Sequence, residues 1–214
     1  MVRINKKVQS AFKANKLSKA VSKRKSEKIC ANVNSALLKT KIRGFTPLHL
    51  AVLRNHLDCA RFLLENGASV FATSSDLCLP LHIAVLKNHV EMADLLLAHG
   101  AEVNLQFTNN IFKLFRTQIS PDSWKDHNLP LIHFSILQKS TEMTFLLLEY
   151  GVNHKIKTAL EKTTLMQAVE ITDYEMVKFL LVEGEAGVNE RDIFGQPVLH
   201  FIVVNSNRKL SMYS

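Results

Sequence analysis

The sequence predicts an all-α fold built as a solenoid of stacked helix–turn–helix units, and three observations lead there. A block of residues returns at a 33-residue offset with its apolar pattern intact. The 7 glycines are scattered, about one per turn, rather than gathered in a loop. The longest apolar runs, such as Phe145–Leu148, fall far short of the ~18 residues a membrane span needs, so the core must come from stacking short helices.

The repeat begins with Thr46-Pro47-Leu48-His49-Leu50-Ala51-Val52, which returns as Leu79-Pro80-Leu81-His82-Ile83-Ala84-Val85. Its second half, Phe62-Leu63-Leu64-Glu65-Asn66-Gly67-Ala68, returns as Leu95-Leu96-Leu97-Ala98-His99-Gly100-Ala101. Weaker copies open at Leu131-Ile132-His133 and Thr163-Thr164-Leu165-Met166, and a fifth opens at Gly195-Gln196-Pro197-Val198-Leu199-His200. Between the histidine slots, with Met166 in the fourth, the steps are 33, 51, 33 and 34, so one 18-residue insertion separates the second and third units.

Each element of the unit follows from its residues. Thr46 and Thr163 suit a helix N-cap, and Pro47 and Pro80 suit the first helical position, where a missing N–H costs nothing. Leu48, Ala51 and Val52 form one apolar stripe. Asn55 and Asn88 tolerate the left-handed backbone that a turn between helices needs. Asp58 and Glu91 place a negative charge in the first turn of the second helix, favourable for its dipole. That helix carries Leu57, Ala60, Phe62, Leu63 and Leu64 and stops at Gly67, which supplies a positive φ. Two helices of about ten residues cannot bury so wide a stripe alone, and neighbouring units must stack.

These motifs resemble the ankyrin repeat, with its T-P-L-H opening, paired helices and G-A-x-V-N ending, closely over residues 44–104 and more loosely over 128–205. The departures are Asn55 and Asn88 at the turn glycine, Pro130 and Pro197 in the Thr slot, and Met166 for His; they imply that the third to fifth units lose part of the turn hydrogen bonding. The resemblance implies helix pairs joined by β-turn fingers and a concave face that binds proteins. Domain boundaries follow: a basic arm at 1–40, partly helical and serving in part as a cap; a repeat domain at 41–207 with repeats near 44–76, 77–104, 128–160, 161–193 and a partial 194–207; an insertion at 105–127; and a tail at 208–214.

The formal charge of +8 over 214 residues hides a division. Residues 1–43 hold 13 Lys/Arg against Glu27 alone, giving +12, while residues 44–214 hold 14 Lys/Arg against 18 Asp/Glu, giving −4. Nucleic-acid or membrane-surface attraction is therefore weak and confined to residues 1–28. Lys23, Arg24 and Lys25 form a short basic cluster compatible with nuclear import, with Lys6-Lys7 as an upstream half. Ile29, Val33, Leu37 and Leu38 suit a helical cap over the first repeat. Cys30, Cys59 and Cys78 form no C-x-x-C pair and no disulfide framework, so a reduced cytoplasmic or nuclear setting is expected. No secretory signal is read at the N-terminus.

Enzymatic chemistry finds no residues to carry it. Seven of the nine histidines fill repeat slots one unit apart, and no H-E-x-x-H, Cys/His cluster, phosphate-cradling glycine loop or G-x-S-x-G elbow occurs, so neither metal nor cofactor is expected. Candidate binding residues are then the fingers and the ends of the first helices: Arg43, Phe45, Leu53, Arg54, Asp76, Cys78, Leu86, Lys87, Gln138, Ile171 and Phe194. Their mixed charge and apolar character favour a protein over nucleic acid. Trp124 joins them from the insertion, where Ile111, Phe112, Leu114, Phe115 and Ile119 approximate a helix face closed by Ser120-Pro121; this insertion either docks on the stack or presents an aromatic lure. After Asn205 the chain is too short and polar for a second helix, so the fourth unit's face is expected half covered, in a truncated array or one completed by a partner. The expected function is a non-enzymatic, monomeric adaptor, scaffold or competitive inhibitor that binds another protein. Alternatives are an inhibitor of a nuclear transcription factor resembling the inhibitor-of-Rel group, a substrate-recruiting subunit of a ubiquitin ligase, or a fragment of a larger array.

Overall fold

The structure, a computed structural model, describes residues 44–115, 128–171, 173–182 and 187–203. Arg43, Trp124 and the Lys23, Arg24 and Lys25 cluster lie outside the described residues. The chain divides into two compact units, Met1–Ala101 and Glu102–Ser214.

In the first unit, α1 (Pro47–Leu53) and α2 (Leu57–Glu65) form one pair, and α3 (Pro80–Leu86) and α4 (Val90–Ala98) form the next. Thr46 caps α1: its side chain accepts from the His49 N–H, with Pro47 in the first turn. Asn55 and Asn88 turn the chain at φ 55, and Gly67 and Gly100 close the second helices at φ 85 and 86. These are the conformations that Asn tolerates and glycine adopts freely. α1 packs against α2 and α3, and α2 against α4. Leu48, Ala51, Val52, Ala60 and Leu63 are buried there with Leu81, Ile83, Ala84, Met92, Ala93 and Leu96. Burying each leucine stabilises the stack by roughly 1.5–3 kcal/mol. His89 ties the pairs together, its Nδ1 donating to the Val52 carbonyl oxygen at 3.1 Å.

The second unit contains α6 (Leu131–Leu137) with α7 (Thr141–Glu149) and α8 (Thr164–Glu170) with α9 (Tyr174–Val182), and α6 packs on α8. Ser135 and Thr144 stand where the first unit has alanines, and Thr144 Oγ1 lies 2.8 Å from both Ser135 Oγ and the Ser140 carbonyl oxygen. The first part of the insertion is built in. β1 (Gln106–Phe107) pairs antiparallel with β2 (Leu129–Pro130), Phe107 opposite Leu129, and α5 (Asn109–Phe115) follows β1. The Phe107 ring lies 4.5 Å from that of Phe134 and 5.1 Å from that of Phe112, offset and tilted contacts that favour aromatic pairs. Phe107, Ile111 and Phe112 are buried.

Residues 198–203 are helical and open the fifth repeat. Leu199 is 67% exposed and Val203 58%, whereas their counterparts Leu48 and Val52 are buried.

Candidate functional site

Among the described residues, three fingers rest on one device. Eight residues before the histidine slot stands a small acceptor: Ser74, Thr158 or Asp192. Ser74 Oγ accepts from the N–H groups of Asp76 and Cys78 at 3.2 and 3.1 Å. Thr158 Oγ1 accepts from Leu160 and Lys162, both at 3.3 Å. Asp192 Oδ1 accepts from Phe194 and Gln196 at 2.9 and 2.8 Å. In each case the backbone N–H of the acceptor residue also donates across the turn, to the carbonyl of Cys78, Lys162 or Gln196. The turn needs a left-handed residue three positions after the acceptor, and the slot holds Leu77 at φ 58, Glu161 at φ 58 and Gly195 at φ 74, with Gly44 and Asn128 in the corresponding places of the other repeats. That conformation costs a residue with a Cβ about 1–2 kcal/mol.

The histidine slot fastens the finger to its helix. The His49 Nδ1 accepts the Thr46 N–H at 3.1 Å, so its proton sits on Nε2, which donates to the Cys78 carbonyl oxygen at 2.8 Å. Charging the ring would set a proton on Nδ1 against the Thr46 N–H, and burial pushes the His49 pKa down to about 4. The Leu79 N–H donates likewise to the His82 Nδ1 at 3.0 Å. In the third repeat the device is half broken. His133 Nε2 donates to the Ile156 carbonyl oxygen at 2.9 Å, yet its buried Nδ1 has no partner. The cap residue there is Pro130, which has no N–H to give. The fourth repeat has no ring, and Thr163 caps α8 through the Met166 N–H at 3.2 Å.

The sequence-predicted candidates divide accordingly. Arg54, Lys87, Gln138 and Ile171 are the C-cap residues of α1, α3, α6 and α8, one equivalent position in four repeats. The first three are exposed and Ile171 is half-buried. Leu53 and Asp76 are half-buried; Phe45 is half-buried too, its ring stacked on the His49 imidazole at 5.3 Å. Phe194 is 70% exposed on its fingertip. Two candidates are corrected. Cys78 is buried, because the left-handed Leu77 before it turns it to the finger base, where its carbonyl holds His49. The same burial pushes its thiol up to about 12, leaving it inert. Leu86 is also buried, because a helical period places it over His82 and Ile83, both buried.

Sequence reasoning missed Leu77 and Phe71, both large, apolar and exposed in the first finger segment. Alignment of the slot five residues before each histidine, where Gly44 and Gly195 stand, is the signal that marks residue 77 as left-handed. Among the described residues, no group of three or more His, Cys, Asp or Glu could hold a metal ion, and no helix is long and apolar enough to cross a membrane.

Helix pairs whose constant positions are spent on packing, and whose variable positions sit on fingers and helix ends, define a repeat scaffold for binding other proteins. Residues 11–107 match the family model described as ankyrin repeats (3 copies), which supports the ankyrin-repeat assignment over that stretch. The match reaches into residues 11–40, which the sequence alone reads as a basic arm. No curated protein matches the sequence. Ankyrin repeats are protein–protein interaction modules, and the family is in general non-enzymatic.

Proposed function

We propose that the protein acts as a monomeric adaptor, scaffold or competitive inhibitor in the cytoplasm or nucleus, binding one protein partner along its fingers and the adjoining ends of its first helices. The carrying observation is the C-cap position. The repeat holds the surrounding backbone constant there, yet the side chains are Arg54, Lys87, Gln138 and Ile171, a guanidinium, an ammonium, an amide and an alkyl group. A position that needs no particular chemistry for folding is free to be set by a partner. Mixed polar and apolar character is what protein interfaces have, whereas a phosphate-binding face would be uniformly basic.

Affinity capture from cell extract with the full chain tests this reading. A variant carrying Arg54→Glu, Lys87→Glu, Gln138→Ala and Ile171→Ala is expected to lose the proteins retained by the wild type at least about tenfold, since a few interface residues carry most of the affinity. Undiminished recovery by the variant would sink the proposal.

A further inference from the structure

We infer that the face left open by the fifth repeat is a docking site for one amphipathic helix of a partner, seated where that repeat's second helix would lie. The other repeats define the slot. In each of them the residues one before and three after the histidine slot are apolar and buried: Leu48 and Val52, Leu81 and Val85, Ile132 and Ile136, Leu165 and Val169. Each of these first helices packs on its own second helix, α1 on α2, α3 on α4, α6 on α7 and α8 on α9. In the fifth repeat the same two places hold Leu199 and Val203, about one turn apart on a single helical face, and they are 67% and 58% exposed. On the fourth repeat Leu181 is 45% exposed, whereas Leu64 and Leu97 at the same place in the first unit are buried. The open face is therefore a repeat-to-helix interface with one side missing.

The chemistry of the occupant follows from what covers those places elsewhere. The second helices bring a small or β-branched residue eleven places after the histidine slot and a leucine fourteen places after it: Ala60 and Leu63, Ala93 and Leu96, Thr144 and Leu147, Val177 and Leu180. All are buried except the half-buried Val177. The same count from His200 reaches Ser211 and Ser214, and a serine in the leucine place brings no alkyl group to the interface. The slot thus calls for a helix from outside this sequence, carrying a small residue with leucine three places later. Its frame is set before that helix arrives: Val198 is buried, the Ile193 N–H donates to the Leu160 carbonyl oxygen at 3.1 Å, and the Lys162 ammonium lies 5.6 Å from the centre of the Phe201 ring. A surface already ordered loses little freedom on binding, and apolar anchors along one face are how a helix is read by a groove.

The probe is a synthetic peptide of residues 88–101, which holds Ala93, Leu96 and Leu97, with blocked ends and a covalent bridge between the outward positions 94 and 98 so that it is helical when free. Titrated calorimetrically against the full chain, it is expected to bind saturably with a Kd below about 1 mM, and at least about tenfold more weakly to Leu199→Asp and to Val203→Asp. The peptide carrying Leu96→Ser and Leu97→Ser should lose at least about tenfold against the wild-type chain. Both substituted positions of the chain are exposed, so the thermal midpoints of the two variants should stay within about 2 °C of the wild type. A larger fall in both would make Leu199 and Val203 packing residues and overturn the inference. Absence of saturable binding overturns it, as does equal binding to the wild type and both variants. Sedimentation of the full chain covers the remaining occupant: a dimer broken by Leu199→Asp would seat a second copy on this face and overturn the partner helix. The binding reading above uses other residues, and its capture experiment stands or falls separately.

Discussion

Replacing Pro130 by threonine should stabilise the protein, an unusual direction for a single change. Pro130 has φ −60 and ψ 148, close to Thr163 at −82 and 163, so a threonine fits the existing backbone. Its N–H would point where the Thr46 and Leu79 N–H groups already meet a histidine Nδ1, at 3.1 and 3.0 Å, and would satisfy the buried orphan on His133. Leaving a buried acceptor unpaired costs roughly 1–3 kcal/mol. The new hydroxyl would cap α6, which has no side-chain cap, and contribute about 1 kcal/mol more. Losing proline's restriction of the unfolded chain offsets about 0.4–1 kcal/mol. The balance is a gain of about 2 kcal/mol, or a Tm rise of roughly 4–8 °C for a chain of this size. Thermal and urea unfolding of Pro130→Thr and Pro130→Ala measure it, the alanine restoring the N–H without the hydroxyl. An alanine variant no more stable than the wild type would refute the orphan-nitrogen argument, and a threonine variant below the wild type would refute the whole account of the cap.

Other consequences follow from the same geometry. His49 and His133 are held neutral with pKa values pushed down to about 4 by burial, while the unfolded chain takes up those protons near 6.5. The stability they protect is therefore fully present above pH 6.5 and is lost as the pH falls from 6.5 toward 4, by up to roughly 3 kcal/mol for each ring; urea midpoints between pH 7.5 and 4.5 should fall accordingly, and a flat profile would count against the neutral tautomer. Gly44 and Gly195 share φ 74, but a Cβ at Gly44 would meet the Ser75 nitrogen at 2.3 Å and one at Gly195 would meet nothing within 4 Å. Gly195→Ala should cost about 1 kcal/mol and Gly44→Ala at least about twice that, and equal losses in thermal unfolding would contradict the close approach of those fingers. Fusing a repeat-type second helix after residue 207 should cover Leu199, Ile202 and Val203 and add about 3 kcal/mol or more, and unchanged stability would show that their exposure is immaterial.

Much of the scaffold was legible because its signals are local and periodic. Thr46, Thr163, Pro47, Pro80, Asn55 and Gly67 each act within a few residues of themselves, and the 33-residue offset repeats them. The Thr-slot prolines were also readable, but their consequence was not: the orphan on His133 depends on a missing N–H three residues away and on burial by other elements. The finger surface was least legible. Cys78 was a candidate only because it lies in a finger, and the sequence does not show that the residue after the left-handed Leu77 is buried at the finger base. A leucine is a poor signal for that backbone, and only comparison with Gly44 and Gly195 exposes it. The pairing of Phe107 with Leu129 was hidden for a different reason, since it joins residues across the insertion and leaves no periodic trace.

Hydrogen–deuterium exchange of the full chain, free and saturated with a partner recovered by capture, addresses the central claim most directly. Protection is expected over residues 69–79, 156–163 and 190–197 and at the turns after α1, α3, α6 and α8. Protection confined instead to the outward positions of the second helices, around Arg61, Asp94 and Glu149, with the fingers unchanged, would contradict it.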